Sequence, residues 1–127
     1  MNQPLAVFRL SGDMARHAGN AQAQIARNIA NADTPNYRAK TLEAFDPEIG
    51  KAGPRVEMVK TRPSHMGRAD MTKGARLIDR GSEPSPNGNS VSLEEELLSS
   101  SEALGDHRKA LAIYGHALSV LRSAIGR

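Results

Sequence analysis

Proline divides this chain into three parts. Residues 5–32 and 91–127 contain none, whereas residues 40–90 carry five of the seven prolines and six of the eleven glycines. A proline inside a helix removes a backbone donor and collides with the preceding turn, so only the two ends can hold long helices. The sequence therefore predicts a mainly α fold: two long terminal helices forming a coiled-coil hairpin, with an extended or irregular middle segment that has room for a short β element. The parts are residues 1–36, a helix and the turn that ends it; residues 37–90, the irregular middle; and residues 91–127, the C-terminal helix. In the middle, Val56–Val59 reads as a short strand and Pro84–Asn89 as a turn and linker. No internal repeat relates the two helical parts.

Periodicity says what the helices are for. Leu93, Leu97, Ser100, Leu104, His107, Leu111, Tyr114, Leu118, Leu121 and Ile125 step by alternating four and three residues, and eight of these ten are apolar or aromatic. A 3.5-residue step is the seam of a coiled coil. Beside it run Ala103, Ala110, Ala117 and Ala124, one heptad apart. The helix thus carries a leucine ridge and an alanine ridge, each able to take a different partner, while Ser99 and Lys109 fall outside both. The first helix shows the same step at Val7, Ser11, Met14, Ala18, Ala21, Ile25, Asn28 and Ala32, flanked by Phe8, Ala15 and Ile29. Its members are mostly small. They allow close approach but remove little apolar area, at about 25 cal/mol per Å², so this helix depends on tertiary contacts. The candidate assembly seam is Val7, Met14, Ala18 and Ile25 with Leu97, Leu104, Leu111, Tyr114, Leu118, Leu121 and Ile125. Ser92-Leu93-Glu94-Glu95 has the form of a capping box. Glu94, Glu95 and Glu96 read as acidic residues suited to a helix start rather than a binding cluster, and Arg122 and Arg127 suit the opposite pole.

Composition excludes most other chemistry. Leu, Ile, Val and Phe make up only 24 of 127 residues, against 18 Ala, two Tyr and no Trp, which leaves too little bulk to wall a deep apolar pocket. The absence of Cys excludes disulfides, zinc ribbons and thiol nucleophiles. The four histidines, His17, His65, His107 and His116, include no pair at helical ligand spacing. With no Gly-rich phosphate loop and no Ser/His/Asp arrangement, no catalytic, metal or cofactor residues are assigned, and an enzyme is not expected. The net charge is +3. Between Arg55 and Arg80 seven Lys/Arg face three Asp/Glu, a basic stretch suited to an acidic protein surface. A small basic helical nucleic-acid-binding protein is the alternative from a different class. The scarcity of aromatics for base stacking opposes it, and no nucleic acid is expected as a partner. No apolar run approaches the roughly 18 residues of a membrane span. Met1–Leu10 lacks the layout of a cleaved secretory signal.

The sharpest local feature is Asn28-Ile29-Ala30-Asn31-Ala32-Asp33-Thr34-Pro35-Asn36-Tyr37. Pro35 cannot continue a helix and biases Thr34 away from helical backbone. Pro35-Asn36 fits the centre of a type II turn, whose second position needs a positive φ that Asn tolerates. Asn28 and Asn31 stand on adjacent turns, with amides able to bond loosened carbonyls or the returning chain.

This decapeptide resembles the N-terminal signature of the flagellar axial proteins, the rod, hook and hook-associated subunits, whose common form is Asn-(Ile/Leu)-Ala-Asn-(Ala/Val)-(Asn/Asp)-Thr-Pro-Gly-(Tyr/Phe). Asn28, Ile29, Ala30, Asn31, Thr34, Pro35 and Tyr37 match; Asn36 replaces the usual Gly. Tyr37-Arg38-Ala39-Lys40 followed by Phe45, the short length, and the run from Asn87 to Glu96 look like the basal-body rod proteins, closest to a proximal-rod subunit. The runner-up is the sister proximal-rod subunit, which usually carries a longer insertion near its Thr-Pro segment. The resemblance implies a structural subunit of the bacterial flagellar basal-body rod, polymerising through terminal-helix coiled coils near the MS ring and transmitting torque for motility, its thin core completed by neighbouring subunits. Implied partners are itself and other rod subunits, the MS ring and its rod adaptor protein, and the flagellar export gate. Implied location is the periplasmic rod, reached by type III export without a cleaved signal. Exported subunits of this kind carry a Phe-x-x-x-hydrophobe pair for docking at the gate, which here is Phe45 and Ile49.

Overall fold

The computed structural model describes residues 3–46 and 76–126. Two helices dominate it: α1, Gln3–Ala30, and α2, Leu93–Ala124. Between them in sequence lie two short strands, β1, Lys40–Leu42, and β2, Leu77–Asp79. The strand expected at Val56–Val59 lies outside the described residues. The β structure that is described stands at the two ends of the middle segment.

The helices run antiparallel. Near one end of the hairpin the rings of Phe8 and Tyr114 meet edge-to-face, centroids 5.1 Å apart. Farther along, the Gln22 amide donates to the Ser100 carbonyl at 2.8 Å. At the other end the Asn28 amide donates to Glu96 Oε1 at 2.9 Å. Progress along α1 is matched by retreat along α2.

Of the two ridges on α2, the alanine ridge faces α1. Ala103 and Ala110 are buried, as are Ser11, Ala18 and Ile25 on α1. Small side chains on both helices let the axes approach closely, and the dense contact that results replaces the bulk the composition lacks. The leucine ridge points away. Leu97 is 66%, Leu104 44% and Leu111 54% exposed.

Local chemistry sets where the helices begin and end. At α2 the Ser92 hydroxyl accepts from Glu95 N at 3.5 Å, with Ser92 itself in extended backbone, so the N-cap is where the sequence puts it. The Glu95 carboxylate does not complete a capping box on Ser92; its Oε2 accepts from the Ser82 hydroxyl at 3.1 Å. The end of α2 is closed by Ile125 N donating to the Leu121 carbonyl, with Gly126 following at φ +82°, the usual left-handed exit.

The strands form an antiparallel ribbon with Lys40 opposite Asp79, Thr41 opposite Ile78 and Leu42 opposite Leu77. Glu43 N donates to the Arg76 carbonyl and Arg80 N to the Ala39 carbonyl. A two-stranded ribbon is marginal alone in water, so its attachment to the hairpin decides whether it forms.

Candidate assembly interface

The signature decapeptide folds into a hydrogen-bonded hub at the closed end of the hairpin. Asn28 is fully buried. Its amide donates to the Lys40 carbonyl at 2.8 Å and to Glu96 Oε1 at 2.9 Å. Its oxygen accepts from the Gln24 amide at 3.0 Å, the Tyr37 hydroxyl at 3.2 Å and Lys40 N at 3.3 Å. One side chain therefore joins α1, the ribbon and α2, with every donor and acceptor used. Asn31 works closer to home, donating to the Arg27 carbonyl at 2.7 Å and accepting from the Thr34 hydroxyl at 3.2 Å.

The turn that follows uses Asn36 at φ +60°, with Tyr37 N donating to the Thr34 carbonyl at 3.3 Å. The positive φ stands at the position where the sequence requires one. Asn36 also explains a glycine. Gly88 has φ +82°, and a Cβ there would collide with the Asn36 side-chain oxygen and lie 3.2 Å from its Cα. Only glycine meets both conditions.

A second hub comes from residues the sequence reading treated as linker. The buried Asn89 amide lies 2.8, 2.8 and 2.7 Å from the carbonyls of Asn31, Ala32 and Thr34, in the turn that follows the end of α1. Its oxygen accepts from Val91 N at 2.8 Å. Ser90 N donates to the Tyr37 carbonyl, and its hydroxyl accepts from Ala39 N at 2.8 Å. The segment before α2 is thereby clamped over the stop of α1.

Glu96 departs from the reading of the acidic run. Glu94 and Glu95 are exposed as expected of a helix start, but Glu96 is 0% exposed. Its Oε1 pairs with Arg80 Nη1 at 3.3 Å as well as with Asn28. The signal lies in the numbering, because Glu96 stands one heptad before Ala103 on the ridge that faces α1. Ser99 is likewise not outward, since its hydroxyl accepts from Arg80 Nη2 at 3.2 Å. Lys109 is outward and pairs with Asp106, one turn away. On the ribbon, the Asp79 carboxyl is lowered from its ordinary value, first by the Gly81 N–H at 2.8 Å, with desolvation opposing, and further by Arg38 and Lys40.

The seam residues divide into two groups. Ala18 and Ile25 are buried and Met14 is half-buried inside the hairpin; Val7 is exposed near its open end. Leu97, Leu104, Leu111, Tyr114 and Ile125 are exposed, and Leu118 and Leu121 half-buried. Leu93, Leu97, Leu104 and Leu111 form an exposed apolar line along the first part of α2, whereas Tyr114 packs on Phe8 of α1; contiguous exposed apolar surface of this kind is a candidate interaction surface. Of the candidate export pair, Phe45 is half-buried with its ring edge-on to His17, centroids 5.6 Å apart. The His17 ring donates from Nε2 to the Glu43 carbonyl at 2.8 Å. Ile49 and most of the basic stretch lie outside the described residues. Among the described residues no group of His, Asp or Glu is placed to hold a metal, and no helix is long and apolar enough to cross a membrane.

Known proteins share this sequence pattern. The chain is 32% identical over 106 residues to the flagellar basal body rod protein FlgB of Agrobacterium fabrum, covering 79% of this chain and 78% of the relative. Identity to the protein of the same name from Bacillus subtilis is 34% over 77 residues, 60% of this chain and 59% of that one. Identity to the one from Cereibacter sphaeroides is 29% over 99 residues, 77% of each. No protein-family model matches the chain.

Proposed function

The chain belongs to the FlgB family of flagellar basal body rod proteins, and on that premise we propose how it takes its place in the rod. It is a structural subunit. Subunits join through their terminal helices: within a chain the alanine ridge of α2 takes α1, and between chains the leucine ridge takes a helix of a neighbouring rod subunit. The proximal rod near the MS ring is the location that the family resemblance implies, with the MS ring and its adaptor as flanking partners and torque transmission as the task. The chain travels there through the flagellar export apparatus, with Phe45 as a contact at the gate.

One observation carries the reading. α2 has two ridges with one heptad period, and among the described residues Ala103 and Ala110 of the alanine ridge are buried within the chain while Leu97, Leu104 and Leu111 of the leucine ridge stay exposed. Exposed leucines at 97, 104 and 111 are costly to leave in water along one line, and a polymer repeats their burial at every subunit. The experiment is to isolate basal bodies from cells carrying a tagged chain. The wild type is recovered in the rod. Leu118→Asp is secreted at normal levels but missing from the particles. Normal incorporation of Leu118→Asp overturns the assignment of the seam.

A further inference from the structure

The buried carboxylate of Glu96 stands where the helical hairpin meets the β ribbon. Glu96 is 0% exposed on the face of α2 that meets α1, and the cation beside it comes from neither helix. Arg80 directly follows β2. Its side chain is 16% exposed, with Nη1 3.3 Å from Glu96 Oε1 and 3.8 Å from Glu95 Oε2, and with Nη2 donating to the Ser99 hydroxyl at 3.2 Å. Its backbone N–H closes the ribbon by donating to the Ala39 carbonyl. On the other strand Asn28, which also holds Glu96 Oε1, bonds the N–H and the carbonyl of Lys40. The carboxylate has little in reserve, because Glu96 Oε2 is buried and accepts no hydrogen bond from the described residues.

We propose that Arg80, Glu96 and Asn28 form a two-state latch in which the ribbon docks only on a closed hairpin and the hairpin end closes only on a docked ribbon. If the ribbon lifts, Glu96 keeps one amide donor and loses its cation while still buried, the arrangement most unfavourable for a charge. The first turns of α2 then part from α1 so that water can reach the carboxylate. If the helices part first, Arg80 loses its anchor and Lys40 loses both bonds to Asn28. Because such coupling is reciprocal, a neighbour that grips the ribbon strengthens the helix pair, and a neighbour that clamps the helices fixes the ribbon. The Phe8–Tyr114 end, at the far side of the hairpin, lies outside the latch.

Amide hydrogen exchange on the full chain tests this. Arg80→Ala is expected to raise opening at residues 97–103 by about a hundredfold, in line with an unpaired buried charge, while amides around Tyr114 change less than about twofold. Glu96→Met removes the charge and fills the same ridge position. It is expected to keep residues 97–103 protected while the ribbon amides of Glu43 and Arg80 exchange faster. Adding Arg80→Ala to Glu96→Met is then expected to change helix protection by less than about twofold. The latch is overturned if Arg80→Ala alone leaves residues 97–103 within about twofold of wild type. It is equally overturned if Arg80→Ala loosens them as much in the Glu96→Met chain as in the wild type. Should Glu96→Met not fold, Glu96→Gln keeps an acceptor for Asn28 without the charge. An effect of Arg80→Ala smaller than about tenfold in that background supports the latch, and an undiminished effect rejects it.

Discussion

Residues 110 and 111 are neighbours in sequence and belong to opposite ridges, so one substitution made at each separates assembly from folding. Ala110 is 1% exposed between the helices, and Leu111 is 54% exposed on the outer face. Full burial of a leucine is worth about 1.5–3 kcal/mol, so roughly half of that remains to be gained at Leu111 when a neighbour arrives. In the isolated chain Leu111→Asp replaces a largely solvated side chain and costs under about 1 kcal/mol. In an assembled seam it forfeits the remaining burial and places an unpaired carboxylate against apolar surface, a further few kcal/mol. A loss of about 3–5 kcal/mol per contact is a factor of roughly one hundred to a few thousand in each association constant, repeated at every subunit. Ala110→Asp is different. It puts the carboxylate and its added volume inside the hairpin at a cost above about 4 kcal/mol, comparable to the whole stability of a small domain.

The assays are circular dichroism melting of the purified chain, motility in soft agar, and the amount of chain secreted. Leu111→Asp melts within a few degrees of wild type, is secreted, and leaves cells non-motile. Ala110→Asp loses the cooperative helical melt. Lys109→Glu, at an exposed position that pairs with Asp106 one turn away, leaves both melting and motility in place. If Leu111→Asp cells swim normally, the leucine ridge is a solvated stripe. If Leu111→Asp unfolds the chain as Ala110→Asp does, the division between inner and outer ridge is wrong.

Other expectations follow from the hubs. Asn89→Ala removes the two N–H donors shared among the three carbonyls of the turn after α1 and lowers stability by about 1–3 kcal/mol, read as a lower urea midpoint with an unchanged slope. Gly88→Ala combines a positive φ with a collision against Asn36 and costs about 1–3 kcal/mol, whereas Asn36→Gly, which keeps that φ, stays within about 1 kcal/mol of wild type. Phe45→Ala lowers secretion while cytoplasmic levels hold; normal secretion removes Phe45 from the export contact. The Asp79 carboxyl has its folded value lowered, so its contribution is fully present above the unfolded value near about 3.9 and is lost as pH falls through the folded value. Ribbon amide protection is therefore unaffected by this group between pH 7 and 5 and declines below about pH 4.

What the sequence makes legible is what depends on local rules. Pro35 ends α1 because no proline continues a helix, Ser92 caps α2 because its hydroxyl reaches a free N–H, and Asn36 takes a positive φ because the turn needs one. The heptads show that α2 has two faces. What stays hidden depends on partners distant in sequence. Asn89 looks like one more turn residue until the carbonyls of Asn31, Ala32 and Thr34 are found beneath its amide. Glu96 looks like the third acid of a helix start, although its place one heptad before Ala103 already puts it on the inner ridge.

Which ridge goes inside is the choice periodicity leaves open, and the polar residues settle it. A leucine ridge pressed against the small face of α1 would bury more apolar area per contact. It would also turn Glu96 to solvent and strip Asn28, at the stop of α1, of its partner on α2. With the alanine ridge inward the axes come close enough for the Asn28 amide to reach Glu96 and Lys40 together, and the Asn89 clamp closes over the same end. The area given up is left on the outer face, where Leu97, Leu104 and Leu111 stand exposed in a line, and that line is the surface the proposed rod seam would bury.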